Sequence, residues 1–85
     1  MTEALNKLHE VVGMLKRSLI CGDIYITMHR EREEWYYKLL INYKLDGMTQ
    51  TYAITEDECL KQTTKEIYNQ VIRYLKYDIT SRYFR

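Results

Sequence analysis

The chain is short of the residues from which chemistry is most often built: among its 85 residues are three glycines, two cysteines, two histidines and one tryptophan. With glycine only at positions 13, 22 and 47, neither a GxxxxGK[ST] nor a GxGxxG phosphate-cradling loop can be formed. Cys21 and Cys59 stand far apart with no CxxC, so they read as small apolar residues in a reducing compartment. His9 and His29 fall on different elements without HExxH spacing, and no metal or cofactor is expected. Ser18 and Ser81 lack a neighbouring histidine and carboxylate for nucleophilic catalysis, so no catalytic residue is assigned and a non-enzyme is expected.

Charge of one sign is also missing. Thirteen basic residues face 12 acidic ones, for a net charge of +1, which gives no global argument for nucleic acid or membrane. Only Lys65 to Arg85 is locally basic. No apolar run approaches the ~20 residues of a membrane span. The opening MTEALNKLHE carries charges where a signal peptide would be hydrophobic. A cytoplasmic protein with no membrane partner is expected.

What is present is one small α+β domain over residues 1–85, in three blocks. Leu5, Leu8, Val12, Leu15 and Leu19 make an apolar stripe on a helix from about Glu3 to Leu19, with Gly22 as its stop and Gly13 allowing close approach to a sheet. The second block alternates. Asp23 to His29 puts Ile24, Ile26 and Met28 on one face and Tyr25, Thr27 and His29 on the other. Trp35 to Leu45 likewise separates Trp35, Tyr37, Leu39, Ile41, Tyr43 and Leu45 from Tyr36, Lys38, Leu40, Asn42 and Lys44. Arg30 to Glu34 reads as a five-residue, charged hairpin connection. Asp46-Gly47 reads as a two-residue hairpin turn, pairing Leu45 with Met48, Tyr43 with Gln50, Ile41 with Tyr52 and Leu39 with Ile54.

The third block carries two capping-box patterns, Thr55 to Glu58 and Thr63 to Glu66, predicting a short helical turn through Leu60 or Lys61 and a longer helix from Thr64 to about Asp78 or beyond. Ile67, Val71, Tyr74, Leu75 and Ile79 face inward, widened by Tyr68 and Ile72. An arc that wide is more than one sheet contact needs, and a homodimer through it is one expectation. The resulting fold class is a three-stranded antiparallel β-meander with two helices on one face, in the order helix-strand-strand-strand-helix, with a short extra helical turn before the last helix. The opposite sheet face is left open.

That face would present Tyr25, Thr27, His29, Tyr36, Lys38, Leu40, Asn42, Lys44, Thr49, Thr51 and Ala53. Tyrosines suit protein interfaces, and interleaved with lysines they can also stack bases and neutralise phosphates. The tail, with Ile79, Arg82, Tyr83 and Phe84, either packs on the first helix or meets a partner. Glu33-Glu34 and Glu56-Asp57-Glu58 read as a solvated turn and a helix start, the latter also a candidate acidic docking patch.

The element order resembles the double-stranded-RNA-binding domain across most of the chain. Those domains carry a Gly-Pro-x-His-type segment between strands one and two and a Lys-Lys-x-x-Lys cluster at the last helix start. Here His29 echoes the first and Lys65 the second, with acids beside both. The resemblance is of architecture only. The same order also looks like that of some small phage-encoded inhibitors, such as certain anti-CRISPR proteins. The expected function is a small protein-interaction module, an inhibitor or regulator of a partner protein, with Tyr25, His29, Tyr36, Lys38, Lys44, Arg73, Tyr77, Arg82 and Tyr83 as partner-binding residues. The alternative is a nucleic-acid-binding domain.

Overall fold

Ala4, Leu8, Val11, Val12 and Leu15 recur at helical spacing, and all five are buried along α1 (Thr2–Leu15). The computed structural model describes the backbone of residues 2–83 and the side chains through Arg82, so the expectations for Tyr83 and Phe84 lie outside the described side chains. α1 stops at Leu15 rather than Leu19. Arg17 N–H bonds to Met14 O at 3.2 Å and Ser18 N–H to Leu15 O at 2.9 Å, three residues back instead of four, so the α-helix ends in a tighter turn. Leu19 is thereby 89% exposed instead of lying on the stripe.

Gly22 is not the helix stop. It sits in β1 (Cys21–Glu31) at a register shift between Cys21 and Ile24, where an added Cβ would lie 2.9 Å from Asn42 Oδ1. The near atom is the end of the Asn42 side chain, with Asn42 O at 3.4 Å, so a Cβ at this bulge would displace that side chain. Gly13 has nothing within 4 Å of a Cβ position, so no contact with the sheet requires it.

β1, β2 (Glu34–Tyr43) and β3 (Thr49–Thr55) form one antiparallel sheet in the order β1-β2-β3. The alternation sorts the faces as expected: Ile24, Tyr37, Leu39, Ile41, Tyr43 and Ile54 are buried on the inner side. Both turns differ from expectation. The β1–β2 ladder runs out to Glu31 opposite Glu34, leaving a two-residue turn of Arg32 and Glu33, with φ of 51° and 65°. The β2–β3 ladder instead closes with Ile41 opposite Gln50, Leu39 opposite Tyr52 and Tyr37 opposite Ile54, two positions from the expected register. The cause lies in the loop. Asp46 Oδ1 accepts from Met48 N–H at 3.0 Å, Gly47 N–H bonds to Tyr43 O at 2.9 Å with φ +71°, and Tyr43 N–H bonds to Met48 O at 2.8 Å. Leu45 and Met48 therefore sit exposed in the loop instead of pairing. Because the shift is even, every side chain keeps its face.

Both caps form. Thr55 and Glu58 close a reciprocal box at the start of α2 (Glu56–Lys61), and Thr63 and Glu66 do the same for α3 (Thr64–Tyr83). Lys7 Nζ donates to Leu60 O at 3.1 Å and Gln62 O at 2.8 Å, so α1 supplies a cation to the carbonyl end of α2. Ile67, Val71 and Leu75 of α3 are buried, and Tyr68, Ile72 and Ile79 pack partly against the same core. The helices cover one face of the three-stranded sheet, giving an α+β fold with the other face open.

Candidate functional site

On the open face the ladder sets His29 directly opposite Tyr36. Their rings stack with centroids 5.0 Å apart and planes at 18°. Thr27, two positions along the same strand, holds the imidazole through its hydroxyl, 2.8 Å from His29 Nε2. Tyr25 lies across from Leu40 and is 64% exposed. Lys38 stands between Thr27 of β1 and Ala53 of β3. Four of the expected partner-binding residues, Tyr25, His29, Tyr36 and Lys38, thus form one surface.

The other expected residues are elsewhere. Lys44 is exposed in the β2–β3 loop, its N–H bonded to Ile20 O at 3.1 Å. Arg73 and Tyr77 are exposed on the side of α3 turned away from Ile67, Val71 and Leu75, so they look out from the helix layer, opposite the open sheet face. Arg82 is engaged within the chain. Its guanidinium reaches Asp78 Oδ2 at 2.7 Å and Asp46 Oδ2 at 3.2 Å and lies 5.0 Å from the centre of the Tyr43 ring. Tyr43 Oη donates to Asp78 Oδ2 at 3.1 Å, and burial, reinforced by that carboxylate, pushes the phenol far above its ordinary range. The cluster is a latch between the end of α3 and the β2–β3 loop.

A feature that sequence reasoning missed lies at the β1–β2 tip. Glu31, Arg32, Glu34, Tyr36, Ala53 and Glu58 line an open groove of about 520 Å³ at the edge of the open face. A smaller groove of about 260 Å³, bordered by Trp35, Glu56 and Asp57, lies beside it. Trp35, expected in the core, is only half-buried, with the Arg30 guanidinium 5.5 Å from its ring centre. Each acidic pair was legible by itself; that the hairpin tip comes to rest beside the start of α2 is a tertiary fact.

Cys21 and Cys59 are free and buried, and burial pushes both thiols up, away from the nucleophilic thiolate. Among the described residues no group of histidine, cysteine and carboxylate side chains could hold a metal ion, and no helix is long and apolar enough to cross a membrane. Comparisons with family models, with curated proteins and with solved structures find no match.

Proposed function

We propose that the chain is a non-enzymatic protein-interaction module, an inhibitor or regulator of a partner protein, that engages its partner through the open sheet face. The observation that carries this reading is the stacked His29–Tyr36 pair beside exposed Tyr25. Rings already held by a cross-strand stack and a Thr27 hydrogen bond lose little freedom on binding, which is what an aromatic contact surface needs. Around Tyr36 the carboxylates of Glu31, Glu34 and Glu58 outnumber the one cation, Arg32, and favour a basic side chain of the partner at the tip end of that face. Double replacement of Tyr25 and Tyr36 by alanine is expected to abolish capture of the partner while leaving the melting temperature nearly unchanged. Capture that survives the replacement places the contact elsewhere.

The nucleic-acid reading draws on Lys38 on the same face as Tyr36, two positions along β2, with the tip carboxylates acting against it. Titration of random RNA or DNA against salt separates the two readings. A binding constant that falls steeply with salt supports nucleic acid. No binding at low salt eliminates it.

A further inference from the structure

We infer that two copies of this chain associate by antiparallel pairing of their β1 edges into one continuous sheet. The phase of the β1–β2 ladder sets up the argument. A two-residue turn closed by Glu31 and Glu34 makes that pair exchange both hydrogen bonds, and in an antiparallel ladder such pairs alternate. Tyr25, Thr27 and His29 therefore bond to β2. Ile24, Ile26, Met28 and Arg30 turn their N–H and C=O groups outward.

The two edges of the sheet are treated differently. The same alternation turns Thr51 outward on β3, and there Tyr74 Oη donates to Thr51 O at 3.1 Å and Thr51 N–H bonds to Gln50 Oε1 at 3.3 Å, so side chains occupy the outward groups of that residue. On β1 no described residue bonds to the outward groups of Ile24, Ile26 or Met28. Charged side chains are a common protection of such an edge. Here they stand only at the ends, Asp23, Arg30 and Glu31, flanking the uncharged run Ile24-Tyr25-Ile26-Thr27-Met28 with His29 after it.

Self-pairing has one favoured register. A two-fold axis perpendicular to the sheet at Ile26 sets Ile26 against Ile26 of the second copy, Ile24 against its Met28, Tyr25 against its Thr27 and Asp23 against its His29. Every pair shares a face, the apolar residues meet on the helix side, and a carboxylate faces an imidazole. Moving the axis to Thr27 would set Asp23 against Glu31, like against like. In the favoured arrangement the two open faces become one. The inference stands independently of the partner-binding reading, because the edge lies in the plane of the sheet and not on its open face.

Sedimentation equilibrium on the full chain is expected to show mass rising from monomer to dimer with concentration. Over the same range, hydrogen exchange should slow at the Ile24, Ile26 and Met28 amides, while Tyr25, Thr27 and His29 stay protected throughout. Met28→Pro deletes an outward donor without touching the ladder to β2 and is expected to give a monomer that melts near the parent temperature. If that variant fails to fold, Met28→Lys serves instead: Met28 is already 40% exposed, and the added charge should weaken the dimer by about tenfold. A monomer mass at every concentration overturns the inference. So does a dimer in which the Ile24, Ile26 and Met28 amides still exchange rapidly, as association through α3 would give, or edge protection that arises only when another protein is added.

Discussion

β2 carries two fully buried tyrosines on its inner face, one towards each end of the strand, and their surroundings are opposite. At the carboxyl end Tyr43 gives its hydroxyl to Asp78, Arg82 covers its ring, and the adjoining loop is tied to α3 through Asp46. Towards the amino end the Tyr37 hydroxyl is buried with no hydrogen-bond partner among the described residues. Beyond it the hairpin projects to a turn in which two non-glycine residues hold positive φ. One end is fastened by hydrogen bonds and ion pairs to side chains distant in sequence; the other lies beside the start of α2 and is held chiefly by its own ladder. The fastened end has spent its polar groups on the fold, whereas the projecting end retains charge, aromatic surface and strain, which is where binding residues concentrate.

Breaking the latch should have the largest effect. Arg82→Ala removes the guanidinium that bridges the Asp46 and Asp78 carboxylates, each about one-fifth exposed. A loss of about 2 kcal/mol in unfolding free energy is expected. Chemical denaturation measures it, and a loss no larger than that of a surface substitution would mean that the two ends are fastened equally weakly.

The tip sharpens the comparison from the other side. Arg32 and Glu33 occupy left-handed conformations that cost roughly 1 kcal/mol or more apiece for residues with a Cβ, and that Asn-Gly adopts readily. Arg32→Asn combined with Glu33→Gly is expected to raise stability by about 1.5 kcal/mol, read as an increase in melting temperature. A neutral result would show that Arg32 and Glu33 recover their strain through contacts at the tip.

These two turns also mark where the sequence could be read and where it could not. Period-two alternation placed Tyr25, His29, Tyr36 and Lys38 on one face, because parity survives any even change of register. Reciprocal Thr/Glu spacing located the starts of α2 and α3, because a capping box is complete within four residues. Turn chemistry misled in both directions. Asp46-Gly47 carries the stronger hairpin signal, yet its carboxylate bonds to Met48 N–H and to Arg82, and a longer loop results. Arg32-Glu33 carries none, and forms the tight turn because a ladder paired out to Glu31 and Glu34 leaves only two residues to cross. Arg82 was read as a contact residue because Tyr43 and Asp46, which it engages together with Asp78 four positions back, lie more than thirty positions away.

The smallest expected effect tests the two tyrosines directly. Tyr43→Phe removes a hydroxyl that donates to Asp78 at 3.1 Å, and a loss of about 1 kcal/mol is expected. Tyr37→Phe removes a hydroxyl that burial has separated from water without supplying a partner, with Glu56 and Cys59 close enough to push the phenol up further. That change should be neutral or stabilising by up to about 1 kcal/mol. The informative quantity is the difference in sign between the same substitution at two positions of one strand. Equal losses at both would mean that Tyr37 bonds to a water or moves to find an acceptor, and the contrast between the ends of the sheet would then rest on Arg82 and the tip turn alone.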